Sequence, residues 1–275
     1  MWTKNGAETL SPVLKRIREV IPSEFVNKRL IVDDQSVDET REIAKSFGWG
    51  VVFNEGSGIS DGANTALKHV ETECFVSFEQ DLLLARDWWQ KVPPHLLSSE
   101  VAISSGVRFS HYPPVIAKLQ AFTTENYKNE EGEGQFFPYV KTLDNTIYKT
   151  SIIRQIGGFP KLPVSAGVDH VLAQRIHSGG YRWKVDYDVK SIHLRTGLNG
   201  ELVHNYWYGT CADELENSLF QKTAKTWTLI LRFAFSPVRG LQIALKTNAA
   251  QAIYVYPLMR LAFLRGVLDR RKHSN

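Results

Sequence analysis

Short apolar runs alternating with amphipathic stretches organise the first ninety residues. Leu30-Ile31-Val32 is brief and partly β-branched, the pattern of a strand covered on both faces in a parallel sheet. Asp33 and Asp34 follow at its carboxyl end. Ser36 and Glu39 have the spacing of a capping box, which predicts a helix from about Val37 to Phe47 that stops at Gly48. Gly50–Phe53 reads as a second strand and leads into the Gly-rich loop 54–58, after which Ala63, Ala66, Leu67 and Val70 recur at helical spacing. Cys74–Phe78 is the next strand, with Glu79, Gln80 and Asp81 just past its end. Strand and helix alternating through short connections predict right-handed crossovers and a parallel sheet. Ligands of such sheets collect at the carboxyl ends of the strands, where both acidic clusters lie.

Farther along, Tyr181–Val185 and Val189–His193 read as a strand pair, with His193 at its end before the glycine-containing loop 195–200. Asp169 opens a helix that ends near Gly179 and Gly180. On residue type alone it only caps that helix. Residues 126–134, rich in Glu and Gly, read as a mobile, solvated loop over the cleft.

The run from Asp33 to Thr40, Asp-Asp-Gln-Ser-Val-Asp-Glu-Thr, resembles the Asp-Asp-x-Ser-x-Asp-x-Thr signature of the family 2 glycosyltransferases. That resemblance implies a Rossmann-like A-fold domain, α/β with a mostly parallel mixed sheet. It implies that Asp34 contacts the base of a sugar nucleotide while Asp33 and Ser36 shape the turn. Thr3 and Asn5, in a turn like that of the family's first strand, would build the same pocket. Glu79-Gln80-Asp81 looks like the Asp-x-Asp motif with its first member one methylene longer. It implies that Asp81 binds Mg²⁺ or Mn²⁺ at the donor diphosphate, with Glu79 and Gln80 at the nucleotide sugar, and that His193 completes the metal shell. Asn64 matches an asparagine of the family's second helix. The basic residue usual there is absent, since Ser60 and Asp61 occupy that stretch, so reliance on a metal is expected. Gly157-Gly158-Phe159, Val168-Asp169 and Arg175 resemble the family's Gly-Gly-Phe, Glu-Asp and Arg arrangement. This implies that Asp169 is the catalytic base of an inverting transfer, with Val168 standing where a glutamate is usual.

Length and charge divide the chain further. Its 275 residues fit a catalytic domain over 1–200 and a helical, basic region over 201–275. From Asn217 to Asn275 ten Lys or Arg face one acid, a net of +9, so the whole-chain +4 leaves −5 for residues 1–216. Large apolar residues interleave with those cations and are expected to be broken at Pro237 and Pro257, the pattern of amphipathic helices lying on a membrane surface. Neither run reaches the roughly 20 apolar residues that a span needs. A lipid-linked or membrane-proximal acceptor is therefore expected, with no nucleic acid, because the cations are mixed with aliphatics instead of clustered. Cys74 and Cys211 have neither pairing nor metal spacing, which points to a reduced, cytoplasmic chain, and the amphipathic tail would place it peripherally on the inner membrane face. The start lacks the apolar core of a signal peptide, and its first strand is so short that a start upstream of Met1 is expected. Two other classes stay open. One is a nucleotide-sugar-binding scaffold without turnover. The other is a nucleotidyltransferase, for which Asn5-Gly6-Ala7-Glu8 is a poor phosphate loop.

Overall fold

The computed structural model describes residues 1–130, 141–162, 164, 166–220 and 224–273. It separates into two compact units. The first comprises Met1–Arg108, Glu131–Lys161 and Val168–Leu194, and the second Phe109–Glu130, Leu162–Gly167 and Arg195–Asn275. Unlike a cut at residue 200, this division groups Phe109–Glu130 with the C-terminal helices.

In the first unit, β1 (Trp2–Thr3), β2 (Leu30–Asp33) and β3 (Gly50–Phe53) form a parallel sheet in that order, with Trp2 opposite Val32 and Ile31 opposite Val51. The helices α1 (Ala7–Val20), α2 (Thr40–Ser46) and α3 (Gly58–Lys68) connect its strands and lead onward. Leu10, Val13, Leu14, Ile17 and Val20 recur every three or four residues along α1 and are buried, which seats the helix on the core with Ile31, Phe78 and Trp88. In α3 the buried positions are Gly62, Ala63, Thr65 and Leu67, close to the expected apolar face.

β4 (Cys74–Phe78) departs from expectation. It lies at the edge of a second sheet, with β5 (Leu82–Leu83), β6 (Val101–Tyr112), β7 (Asn145–Lys149) and β8 (Arg182–Thr196), in the order β4-β7-β6-β8-β5. Its pairing with β7 is antiparallel, Cys74 opposite Lys149 and Phe78 opposite Asn145. The parallel pairing of β1–β3 thus does not extend to β4, because β7, a segment distant in the chain, supplies its ladder. The helices α4 (Trp88–Lys91), α6 (Thr150–Gln155) and α7 (Val168–Ser178) complete this unit.

Three local expectations are corrected. The helix after β2 starts at Thr40, not Val37, because the Ser36 hydroxyl accepts from the Asn5 amide instead of capping a helix at Val37, while Asp38 accepts the Thr40 amide at the observed start. The expected hairpin of 181–193 is one continuous strand, β8: its inward side chains Trp183, Val185, Val189, Ser191 and His193 keep a period of two with no reversal. Residues 126–130 belong to α5 (Pro114–Glu130), while 131–134 of the expected loop lie outside the described residues.

The second unit is helical: α5, α8 (Gly197–Phe220), α9 (Thr226–Ala234), α10 (Ser236–Thr247) and α11 (Ala252–His273). Pro237 sits at the start of α10, as a breaker should, but Pro257 lies within α11. α8 and α11 cross at Gly209 and Gly266, where a Cβ on either would strike the other helix's backbone. Near this crossing Arg271 pairs with Asp213, and Arg270 with Glu214 at 2.9 Å, so part of the tail's positive charge is matched inside the unit.

Candidate active site

Two acidic clusters stand at the carboxyl edge of the first unit, and each is held by a different device. Asp33 ends β2 with its side chain fully buried. One oxygen accepts the Ser36 amide at 3.1 Å, while Oδ1 and the buried hydroxyl of Thr3, its partner in register, lack a hydrogen-bond partner among the described residues. The Ser36 hydroxyl accepts the Asn5 amide at 2.9 Å. Asn5, held in the left-handed region at φ 48°, accepts the Val37 amide on its Oδ1. Thr3, Asn5, Asp33 and Ser36 therefore build the turn. Asp38 accepts the Ala7 amide at the start of α1. Although burial opposes it, the bonds from Thr40 and Ala7 hold its carboxyl below the usual range.

Asp34 is the member of this cluster that faces outward, with 15% of its side chain exposed. The Gly-rich loop after β3 clasps it: Asn54 Nδ2 donates to Oδ1 at 3.2 Å, the Gly58 amide to Oδ2 at 3.3 Å, and Lys4 Nζ stands 3.6 Å away. A carboxylate accepts about four hydrogen bonds, so these partners leave capacity for a ligand donor.

The second cluster depends on strand pairing. β5 runs antiparallel to β8 with Leu82 opposite His193, and the Leu194 amide donates to the Asp81 carbonyl at 2.7 Å. This register brings His193 Nε2 to 3.3 Å from Asp81 Oδ2 and 3.9 Å from Glu79 Oε2. Ligand atoms of Glu79, Asp81 and His193 all lie within 4.8 Å of one another, and His193 is buried. Two hard carboxylates and one imidazole are a donor set that fits Mn²⁺ or Mg²⁺. Gln80 points the other way. Its amide accepts from Lys4 N at 2.9 Å and donates to Lys4 O at 3.0 Å, bracing the first turn against the end of β4. Gly6 packs closely beside it: a Cβ there would lie 2.6 Å from Gln80 Oε1, so the Gln80 side chain would have to shift.

Asp169 is in the first turn of α7, 18% exposed, accepting the His170 amide at 2.9 Å. Burial pushes the Tyr148 phenol far above its usual range, with the negative charges of Asp144 and Asp169 adding to the shift. Asn64 has both ends of its amide on Phe159, donating to the carbonyl at 2.9 Å and accepting from the amide at 3.0 Å. In this structure Asn64 fastens the Gly-Gly-Phe turn to α3. Phe159 is buried edge-on against Trp2 and Tyr148. Val168 is buried, and Asp61 accepts the Ser57 amide and pairs with Lys161 at 3.3 Å.

Sequence reasoning missed Arg108 and Asp144, which pair with each other beside Glu79. The available signal was an arginine directly after the uncharged run 101–107 of β6. A cavity of about 220 Å³ lies at the opposite strand ends, lined by Leu30, Cys74 and Phe75, and so is apart from both acidic clusters.

A parallel sheet edge with an acidic turn, together with a set of two carboxylates and a histidine, is the architecture of an α/β glycosyltransferase of the A fold. The chain belongs to glycosyl transferase family 2, whose model matches residues 1–156. It is similar in structure to a mannosyltransferase from Pyrobaculum calidifontis in complex with GDP-Man and Mn²⁺, with TM-score 0.70 and 19% identity over 100% of this chain and 86% of that one. It is also similar to glucosyl-3-phosphoglycerate synthase from Mycobacterium tuberculosis. In complex with Mn²⁺, UDP and glucosyl-3-phosphoglycerate, that protein aligns with TM-score 0.56 and 14% identity over 79% of this chain and 77% of that one. Its complex with Mg²⁺ and UDP gives TM-score 0.55 at the same identity and coverage. No curated protein sequence matches the chain.

Proposed function

We propose that this glycosyltransferase moves a sugar from a UDP- or GDP-sugar to an acceptor hydroxyl with inversion. The observation that carries the reading is the convergence of Glu79, Asp81 and His193 at the edge that also presents Asp34. Asp34 accepts from the base of the donor, and the turn built by Thr3, Asn5, Asp33 and Ser36 holds that carboxylate in place. Asp81, with Glu79 and His193, holds Mg²⁺ or Mn²⁺. When bound, such an ion offsets negative charge on the departing diphosphate. Asp169 takes the proton of the acceptor hydroxyl as its oxygen bonds to the anomeric carbon and the bond from that carbon to the diphosphate breaks.

The acceptor is membrane-proximal in this reading, and the chain sits peripherally on the cytoplasmic face. Trp227, Phe235, Val238, Leu241, Leu245 and Tyr254 are exposed on α9–α11, where Arg232, Arg239 and Lys246 are also exposed. Among the described residues no single helix is long and apolar enough to cross a membrane. α9 and α10, bent by 43°, meet that test only as a pair.

The test is thermal stabilisation against UDP-, GDP- and dTDP-sugars with and without Mn²⁺, followed by turnover of the stabilising donor. One donor should raise Tm in the presence of Mn²⁺, and Asp169→Asn should keep that shift while losing at least about a hundredfold in turnover, the lower range of general-base contributions. Stabilisation without turnover in the unsubstituted chain would favour a binding scaffold, a reading that the buried Val168 supports. No shift with any donor removes the transferase reading.

A further inference from the structure

Glu79 differs from an aspartate at the same strand end by one more rotatable bond, and 26% of its side chain is exposed. Left alone, such a group samples several rotamers, and ordering it costs side-chain entropy. Arg108 restrains it. Arg108 Nη1 donates to Glu79 Oε2 at 3.3 Å and also to Asp144. Asp144 is fully buried and accepts two more bonds, from Thr142 Oγ1 at 2.6 Å and Asn145 Nδ2 at 3.2 Å. It is therefore a fixed anion, since moving it would break three hydrogen bonds in a site that water does not reach.

The backbone explains why anchor and tether meet. Asn145, which follows Asp144, pairs with Phe78, which precedes Glu79, so the two carboxylates leave adjacent strands at the same edge. Arg108 lies on β6, the strand that flanks β7 on its other side. Resting on the metal reading above, we propose that Arg108 is a positioning residue. Asp144 holds the guanidinium, and the guanidinium holds Glu79 where its carboxylate meets Asp81 and His193. A lysine at this position offers a mobile point charge in place of a planar group and restrains less.

The test reads Mn²⁺ affinity of the full chain by electron paramagnetic resonance of the free ion, which does not depend on turnover. Arg108→Met combined with Asp144→Asn removes one cation and one anion, so net charge is unchanged and no buried charge is stranded. Mn²⁺ binding should weaken by about tenfold or more, as for other outer-shell partners of metal ligands. In a Glu79→Gln background the same pair of changes should add less than about twofold, because the carboxylate they position is gone. Arg108→Lys, which leaves Asp144 compensated, should weaken binding by an intermediate factor. An unchanged Kd in either Arg108 variant, or an equal loss in both Glu79 backgrounds, overturns the proposal. A wild-type chain that binds no Mn²⁺ overturns the metal reading and this inference together.

Discussion

Gly157 and Gly158 are neighbours of the same type under different constraints. Both hold positive φ, 86° and 79°, but the space at Gly157 is open whereas a Cβ on Gly158 would lie 2.6 Å from Asn64 Oδ1. Gly157→Ala should cost about 1 kcal/mol, the strain of a left-handed alanine. Gly158→Ala should cost about 2–4 kcal/mol, because it adds displacement of Asn64 and strands the Phe159 amide. Urea unfolding of the two variants measures the difference, and equal losses would mean that the Asn64 latch contributes nothing. Both glycines and Asn64 were visible as motif members in the sequence. What the motif did not disclose is that they serve each other: an amide side chain can face a ligand or a backbone, and only its neighbours in space decide which.

β8 shows the same limit at the scale of an element. Its alternation of buried and exposed positions was legible, and His193 falls on the buried face with Ser191 and Val189. The residues from Asp186 to Asp188 suggested a turn, yet the strand runs through them, with the Asp188 amide bonded to Asp186 Oδ1. The two residues of β5 carried no signal of their own, although their register with β8 is what sets His193 beside Asp81. His193→Gln should therefore lower Mn²⁺ affinity by at least about tenfold, while Ile192→Ala, one residue away and directed to the opposite face, should change it by less than about twofold. Calorimetric titration of Mn²⁺ into both variants checks this. Comparable losses would place the effect in the strand and not in the imidazole.

At the scale of the whole molecule, the strongest asymmetry in the sequence is the charge contrast between residues 1–216 and the basic end. The structure tempers that contrast, since Arg270 and Arg271 pair with Glu214 and Asp213 of α8. Much of the exposed character of α9–α11 is instead apolar, with Phe235 at 67% and Leu245 at 76% exposure. If these residues meet a bilayer surface, replacing both by Glu should reduce co-sedimentation with anionic vesicles several-fold while leaving Tm within a degree or two, because neither supports the core. Raising salt should weaken vesicle binding of the unsubstituted chain further as charges are screened. Vesicle binding that survives both changes would remove these helices from the membrane reading.

Local pattern by itself determined the strand ends that carry Asp33, Asp34, Glu79 and Asp81, the helix behind Asp169, and the glycosyltransferase signature. These are written in residue type and short spacing, which the backbone periods of 2 and 3.6 make readable. Tertiary structure alone decided that β4 turns to an antiparallel partner, that Gln80 braces Lys4, and that Arg108 and Asp144 stand beside Glu79. Each of these joins residues 29 to 76 positions apart. Such contacts arise from strand order and register, and no periodicity within one segment encodes which distant segment will complete its ladder or neutralise its charge.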